Sequence, residues 1–194
     1  MSEKKVSPLS VPIGMGRGLT CCKFLCYTQG IKSISGGDCV ITFYIPTTED
    51  LWFREKLLGD AETMSYNHAW GGTIDFPPSR WTQWHHKWID DQNSHYFYRY
   101  LCAEGEFVGE AAYHFEEERG IWLADVLIYA PFRGRGYGKE ALLLLCETAQ
   151  SSGIWELCDD IALDNLAAGL FLQCGFEEAF RTGTYVLLRK RLTP

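Results

Sequence analysis

The stretch Ile121 to Ala149, IWLADVLIYAPFRGRGYGKEALLLLCETA, constrains the fold of this chain more than any other. An apolar run reaches Pro131, and a glycine-rich basic loop follows as Arg133-Gly134-Arg135-Gly136-Tyr137-Gly138. Ala141, Leu142, Leu144, Leu145 and Ala149 then repeat at helical spacing up to a stop at Ser151-Ser152-Gly153. The pattern predicts strand, turn and helix. Glycines let a backbone approach a ligand, the first N–H groups of the helix point at it, and the dipole favours negative charge, so the loop is a predicted anion site. Spacing excludes two common phosphate loops. A Walker loop needs four residues between its glycine and Gly-Lys-Ser/Thr, whereas Gly134 to Gly138 leaves three and Glu140 follows Lys139; a dinucleotide fingerprint needs G-x-G-x-x-G, and this is G-x-G-x-G.

A second constellation follows the helix at the right separation: Asp164-Asn165-Leu166-Ala167-Ala168-Gly169-Leu170-Phe171-Leu172-Gln173-Cys174-Gly175-Phe176. The loop resembles the acyl-CoA loop of the GNAT superfamily of N-acetyltransferases, Arg/Gln-x-x-Gly-x-Gly/Ala, with Arg133, Gly136 and Gly138 matching without a gap. The second segment resembles that superfamily's N-x-x-A-x-x-L-Y-x-x-x-G-F. Two departures stand out. Asp164 occupies the usual asparagine position, leaving Asn165 to serve if the helix begins one residue late, and Phe171 replaces a tyrosine whose hydroxyl in many members protonates the departing CoA thiolate.

The resemblance begins near Cys39 and divides the chain into an irregular arm, 1–38, and an N-acetyltransferase domain, 39–194. It implies an α/β (α+β) GNAT fold: a mixed, mainly antiparallel sheet of six or seven strands, splayed between the fourth and fifth and flanked by about four helices. The pantetheine arm of acetyl-CoA would enter the splay and pair with backbone around Leu127 and Ile128, where a strand amide polarises the thioester carbonyl. Main-chain N–H groups of Arg133, Gly134, Arg135, Gly136, Tyr137, Gly138 and Lys139 would hold the pyrophosphate, with Arg133 and Arg135 adding charge, and Asn165 and Phe171 would complete the cofactor site. The implied reaction is direct acetyl transfer to a primary amine of a small molecule, polyamine or aminoglycoside in type if cationic. The alternatives are an acyl-CoA-binding regulatory module without turnover and a protein or peptide N-acetyltransferase.

The rest of the chain is read around that core. Val40 to Ile45 predicts a strand ended by Pro46, and Thr48 to Gly59 a helix with acids in its first turn. Residues 60–79 form a long loop whose Tyr66, Asn67, Trp70 and Asp75 are the candidate acceptor wall. From Pro78 to Asp91 a helix carries the stripe Trp81, Trp84, Trp88 and Ile89, which belongs to the core or to a homodimer face, with His85 and His86 off it in solvent. Tyr96 to Cys102 and Phe107 to Phe115 alternate as a hairpin, the second placing Phe107, Ala111, Tyr113 and Phe115 on one face against Val108, Glu110, Ala112 and His114. Glu116 to Gly120 is a solvated turn before a fourth strand, Ile121 to Ala130. Trp155 to Leu163, bearing Asp159 and Asp160, is a fifth, and Glu177 to Lys190 a last strand or pair.

Asp125 interrupts the face of Ile121, Leu123, Leu127 and Tyr129, and a carboxylate there needs a partner or a task, which makes it the candidate general base. Glu110 on the neighbouring strand is the second candidate; the bland reading pairs either acid with an arginine such as Arg99 or Arg181. Tyr129 is a candidate acid, with Tyr185 and Cys174 behind it. The net charge of −7 argues against nucleic acid or an anionic membrane as partner, and makes the cluster Arg133, Arg135 and Lys139 conspicuous. Eight cysteines without a C-x-x-C pair, and histidines not spaced with them as ligands, predict reduced thiols in a cytoplasmic protein and no metal.

Overall fold

A computed structural model describes residues 41–91 and 95–192; the arm 1–38, with Cys21, Cys22 and Cys26, lies outside the described residues. Seven strands form one sheet: β1 (Thr42–Tyr44), β2 (Tyr96–Ala103), β3 (Glu106–Glu116), β4 (Ile121–Ile128), β5 (Glu156–Ala162), β6 (Glu177–Arg181) and β7 (Tyr185–Arg191), in the order β1-β2-β3-β4-β5-β7-β6. Every pairing is antiparallel except β4 with β5, which run parallel and share the single register Leu123 opposite Cys158. Both continue beyond it, to Ile128 and Ala162, without a further rung between them. The expected splay between the fourth and fifth strands is therefore present, in a seven-stranded sheet with four α-helices: α1 (Trp52–Gly59), α2 (Trp81–His85), α3 (Tyr137–Ser151) and α4 (Ala167–Gln173).

Each face of the sheet carries a core. Leu142, Leu145 and Ala149 of α3 and Phe171 of α4 pack with Leu101, Val108, Ala111 and Tyr113 on one face. Phe53, Leu57 and Leu58 of α1 pack with Tyr98, Tyr100, Ala112 and Leu127 on the other, where Trp81, Trp84, Trp88 and Ile89 also pack. The tryptophan stripe thus belongs to the core. No helix among the described residues is long and apolar enough to cross a membrane.

Four local expectations change. Phe107 faces Phe53 and Tyr100, with ring centroids 5.4 and 5.0 Å away, and not the Ala111 side. A β-bulge between the rungs Leu101–Gly109 and Cys102–Phe107 leaves Val108 as an extra residue and inverts the alternation ahead of it. The loop 60–79 contains a 3-10 segment, Thr63–Trp70, and another, Pro78–Arg80, leads into α2. β4 ends at Ile128, because Pro131 lies in a 3-10 turn, Ala130–Phe132, that cannot continue the ladder. His85 is held between the Pro46 carbonyl at 3.0 Å and Asp90 at 3.1 Å instead of standing in solvent, because α2 widens into a π turn, His86–Asp90, that brings Asp90 round.

Candidate active site

The splay, the loop after β4 and the segment Thr63–Trp70 enclose one cleft of about 1280 Å³. Its loop end is made of backbone. Gly134 and Gly136 adopt φ of 76° and 88°, the left-handed region that favours glycine, and Gly136 is the N-cap of α3. The Arg133 amide donates to Ala130 O at 3.1 Å and that of Lys139 to Gly136 O at 3.0 Å. Between them the amides of Gly134 to Gly138 have no acceptor among the described residues, so they and the α3 dipole form a concave donor set suited to a phosphate.

Along the floor, Gly109 of β3 leaves room for no side chain against β4. A Cβ on Gly109 would stand 2.2 Å from the Leu127 carbonyl oxygen, so any side chain there would push the strands apart beneath Leu127 and Ile128. α4 starts at Ala167, whose amide donates to Asn165 Oδ1 at 2.9 Å, so Asn165 rather than Asp164 orders the start of that helix. Phe171 is buried against Phe176, with ring centroids 4.9 Å apart.

The other end of the cleft is made of side chains. Glu110, 9% exposed, accepts from Arg54 and from the Tyr98 hydroxyl. The Arg54 guanidinium lies 4.6 Å from the Trp84 ring centroid and 5.2 Å from that of Tyr98. Burial opposes its charge, but Glu110 and Tyr98 hold its pKa above the usual arginine value. Burial, then Glu110, raises the Tyr98 phenol as well. Glu110 is therefore neutralised by Arg54; Arg99 instead donates to Tyr98 O at 2.7 Å, and Arg181 pairs with Glu178.

Asp125 has no such pairing. The His114 ring nitrogen Nδ1 stands 3.7 Å away, beyond hydrogen-bond reach, and has no partner among the described residues. The Asp125 side chain keeps 63% of its surface open and lines the cleft. The surrounding walls desolvate the carboxylate and raise its pKa; His114 opposes the shift, and Glu110 adds to it. Across the splay, burial first and then Asp125 and Asp160 push Asp159 well above the usual carboxylate range. Asp160 is neutralised by Arg119 at 2.7 Å, so the Glu116–Gly120 turn is not merely a solvated charge run. Burial, then Glu110, Asp125 and Asp159, raises the Tyr66 phenol, which keeps its proton at neutral pH.

Of the residues singled out in the sequence, Glu110, Asp125, Leu127, Ile128, Arg133, Gly134, Gly136, Tyr137, Gly138, Lys139, Asn165, Phe171, Tyr66 and Asn67 line this cleft. Three do not. Tyr129 packs against Phe53 and Phe132 with the Lys56 ammonium 4.6 Å from its ring, Arg135 turns back over Phe132, and Asp75 lines a separate shallow pocket with Glu55 and Gly59. Trp70 ends its 3-10 segment. The sequence reading missed Arg54, Tyr98, His114, Asp159 and Arg119. A buried glutamate on a predicted strand was a signal that some cation had to meet it, but nothing in the spacing said which.

Comparison with known proteins follows the same lines. The model of the acetyltransferase (GNAT) family matches residues 59–176. An uncharacterised N-acetyltransferase of Bacillus subtilis, YycN, is 33% identical over 102 residues, which cover 50% of this chain and 62% of that protein. A spermidine N-acetyltransferase from Vibrio cholerae, solved with CoA and spermine, superposes with a TM-score of 0.66 at 14% identity over 78% of this chain and 95% of its own. A ribosomal-protein-alanine N-acetyltransferase from Brucella melitensis does so at 0.61 and 22%, over 78% and 99%. These two resemblances concern the fold.

Proposed function

The chain belongs to the acetyltransferase (GNAT) family, and we propose from that premise that it moves the acetyl group of acetyl-CoA to a primary amine of a small, cationic acceptor, of polyamine or aminoglycoside type. One observation carries the reading: Gly134, Gly136, Tyr137 and Gly138, whose amides are free of acceptors among the described residues, and the Asp125 carboxylate, which accepts no hydrogen bond there, line one cleft at opposite ends of the exposed edge of β4.

The residues present suit the cofactor. The amides and the α3 N-terminus would take the pyrophosphate, Lys139 would add charge, and the β4 backbone at Leu127 and Ile128 would take the pantetheine amides. When bound, acetyl-CoA supplies an activated acyl group. Asp125 would accept a proton from the ammonium of the acceptor, since a carboxyl raised toward the working pH is a better base than an ordinary aspartate. Glu110 serves as a neutralised floor, because Arg54 and Tyr98 already satisfy its oxygens. Asp159, without an ion pair among the described residues, and Asp125, with only His114 3.7 Å away, line the cleft and favour a cationic acceptor. With Phe171 lacking a hydroxyl, the thiolate would leave to solvent or to a phenol such as Tyr66 or Tyr185, both of which line the cleft.

Buried thiols at Cys146, Cys158 and Cys174 suit a reducing, cytoplasmic setting. Residues 39–194 would constitute the transferase domain and 1–38 an appended arm. The missing tyrosine favours one rival, a CoA-binding regulatory module without turnover; a protein or peptide N-acetyltransferase is the other.

Free-thiol release from acetyl-CoA against polyamines, aminoglycosides, amino acids and short peptides, beside calorimetric binding of acetyl-CoA, tests the proposal. Asp125→Asn is expected to lower kcat by about 10²–10⁴ and to leave acetyl-CoA affinity unchanged. Binding without thiol release on any acceptor would favour the regulatory module, and release with peptides alone would favour the protein-modifying enzyme. No acetyl-CoA binding would sink the reading.

A further inference from the structure

The wall that carries Tyr66 and Asn67 has little intrinsic reason to hold its shape. Thr63–Trp70 is a 3-10 run of eight residues, a length at which such helices are uncommon, and it ends on the left-handed Gly71. Asn67 Nδ2 donates to Gly72 O at 2.7 Å and closes one end. The other end is fastened by groups far away in sequence. Thr63 is fully buried at 0% exposure; its hydroxyl oxygen accepts the Ala130 amide at 3.0 Å and donates to Asp60 Oδ2 at 3.2 Å.

Arg133 completes the fastening. Its Nη1 donates to Glu62 O at 3.1 Å, its Nη2 to Thr63 O at 2.6 Å and its Nε to Ile128 O at 3.3 Å, so each guanidinium nitrogen meets a backbone carbonyl. Two of those carbonyls belong to the start of the wall and one to the end of β4. Lys139, by contrast, lines the cleft and makes no ion pair among the described residues.

We propose that Arg133 is a positioning residue for the acceptor wall and not a ligand of the cofactor phosphates. With Thr63 it staples Thr63–Trp70 to the corner from which the glycine loop departs, so that Tyr66 and Asn67 face the acceptor from a frame shared with the loop. The inference rests on the acetyl-CoA reading for what the loop binds, but the staple itself is a matter of carbonyls and amides alone. It reverses the sequence expectation, in which the charge of Arg133 goes to the pyrophosphate. Three of the five guanidinium N–H groups are directed at those carbonyls and hold the head group at the foot of the wall, so moving it onto an anion in the loop would leave the carbonyls unpaired.

Amide hydrogen exchange followed by mass spectrometry, with calorimetry of acetyl-CoA, separates the two roles. In Arg133→Gln, exchange across Thr63–Trp70 is expected to accelerate tenfold or more while that of β2 and β3 is unchanged, and the Kd for acetyl-CoA stays within twofold. Arg133→Lys, which keeps a cation able to donate to the Thr63 carbonyl, is expected to restore much of the slow exchange. Lys139→Gln is the control and should weaken acetyl-CoA severalfold without altering exchange in the wall. With an amine that the thiol-release panel identifies, Arg133→Gln should raise its KM and leave kcat nearly unchanged. A tenfold weaker Kd in Arg133→Gln, or unchanged exchange across the wall, would overturn the proposal. A wild type that binds no acetyl-CoA would remove the functional reading, and the exchange measurement would still decide the staple.

Discussion

At the loop end of the cleft the groups that face a ligand are consecutive main-chain amides, Gly134 to Gly138, shaped by two left-handed glycines and the first turn of one helix. At the carboxylate end they are side chains delivered from α1, the Thr63–Trp70 segment, α2, β3, β4 and β5: Arg54, Tyr66, Trp84, Glu110, His114, Asp125 and Asp159. A backbone site depends on φ and on the absence of side chains, and tolerates changes elsewhere in the molecule. A side-chain site depends on charges finding each other across the fold, so removing one member leaves the others exposed to the cost of desolvation.

Substitutions at the carboxylate end should break that contrast most severely. Arg54→Met removes the countercharge of Glu110 and is expected to destabilise the chain by about 3–5 kcal/mol in urea unfolding, because an uncompensated carboxylate remains buried. The double variant Arg54→Met/Glu110→Gln should recover most of that loss; no recovery would mean that the pair does not act as a unit. At the loop end, Gly136→Ala meets no atom within 4 Å but must hold φ at 88°. It should cost about 1–2 kcal/mol in strain, and weaken acetyl-CoA at least tenfold in calorimetry.

The contrast sharpens with pH. Asp159 has a folded pKa raised above its unfolded value, so the folded state binds the proton more tightly and its carboxylate opposes folding once the pH rises above the unfolded value. Asp159→Asn should therefore raise the melting temperature at pH 7, with the gain shrinking toward zero by about pH 2, well below the ordinary aspartate value, where the carboxyl is protonated in both states. Equal gains at both pH values would mean that charge is not the cause. The smallest effect belongs to the His68–Asp164 contact, 2.9 Å long but about 60% exposed on both sides. His68→Ala should change stability by about 0–1 kcal/mol, an effect abolished by salt.

Those differences also explain what could be read in advance. Arg133, Gly136 and Gly138 are near neighbours in sequence, so their spacing carried the loop, and Ala141, Leu142 and Leu145 carried the helix after it. Asp125 could be picked out because it breaks an apolar face on one strand. The partner of Glu110 could not: Arg54 is 56 residues away and on a helix, and the sequence offers Arg99 and Arg181 as well. The face of Phe107 was misread because a bulge at Val108 has no reliable residue signature. The carbonyls that Arg133 meets at Glu62 and Thr63 belong to a segment with no periodic pattern, so the sequence, where charge in a glycine loop reads as a phosphate ligand, gives no sign of these contacts.

By itself the sequence determined the local elements: the strand, glycine turn and helix that make an anion site, the alternating hairpin, and the second motif with its missing hydroxyl. Periodicity, turn chemistry and N-terminal amides are properties of adjacent residues, and adjacency is what a sequence records. Only the tertiary structure decided which carboxylate is neutralised and which is left open, because that depends on distances between groups far apart in the chain. Burial then fixes the outcome: Glu110 meets Arg54 and Tyr98 at the base of the cleft, while Asp125, with only His114 3.7 Å away, and Asp159, with no ion pair among the described residues, lie on the two strands of the splay.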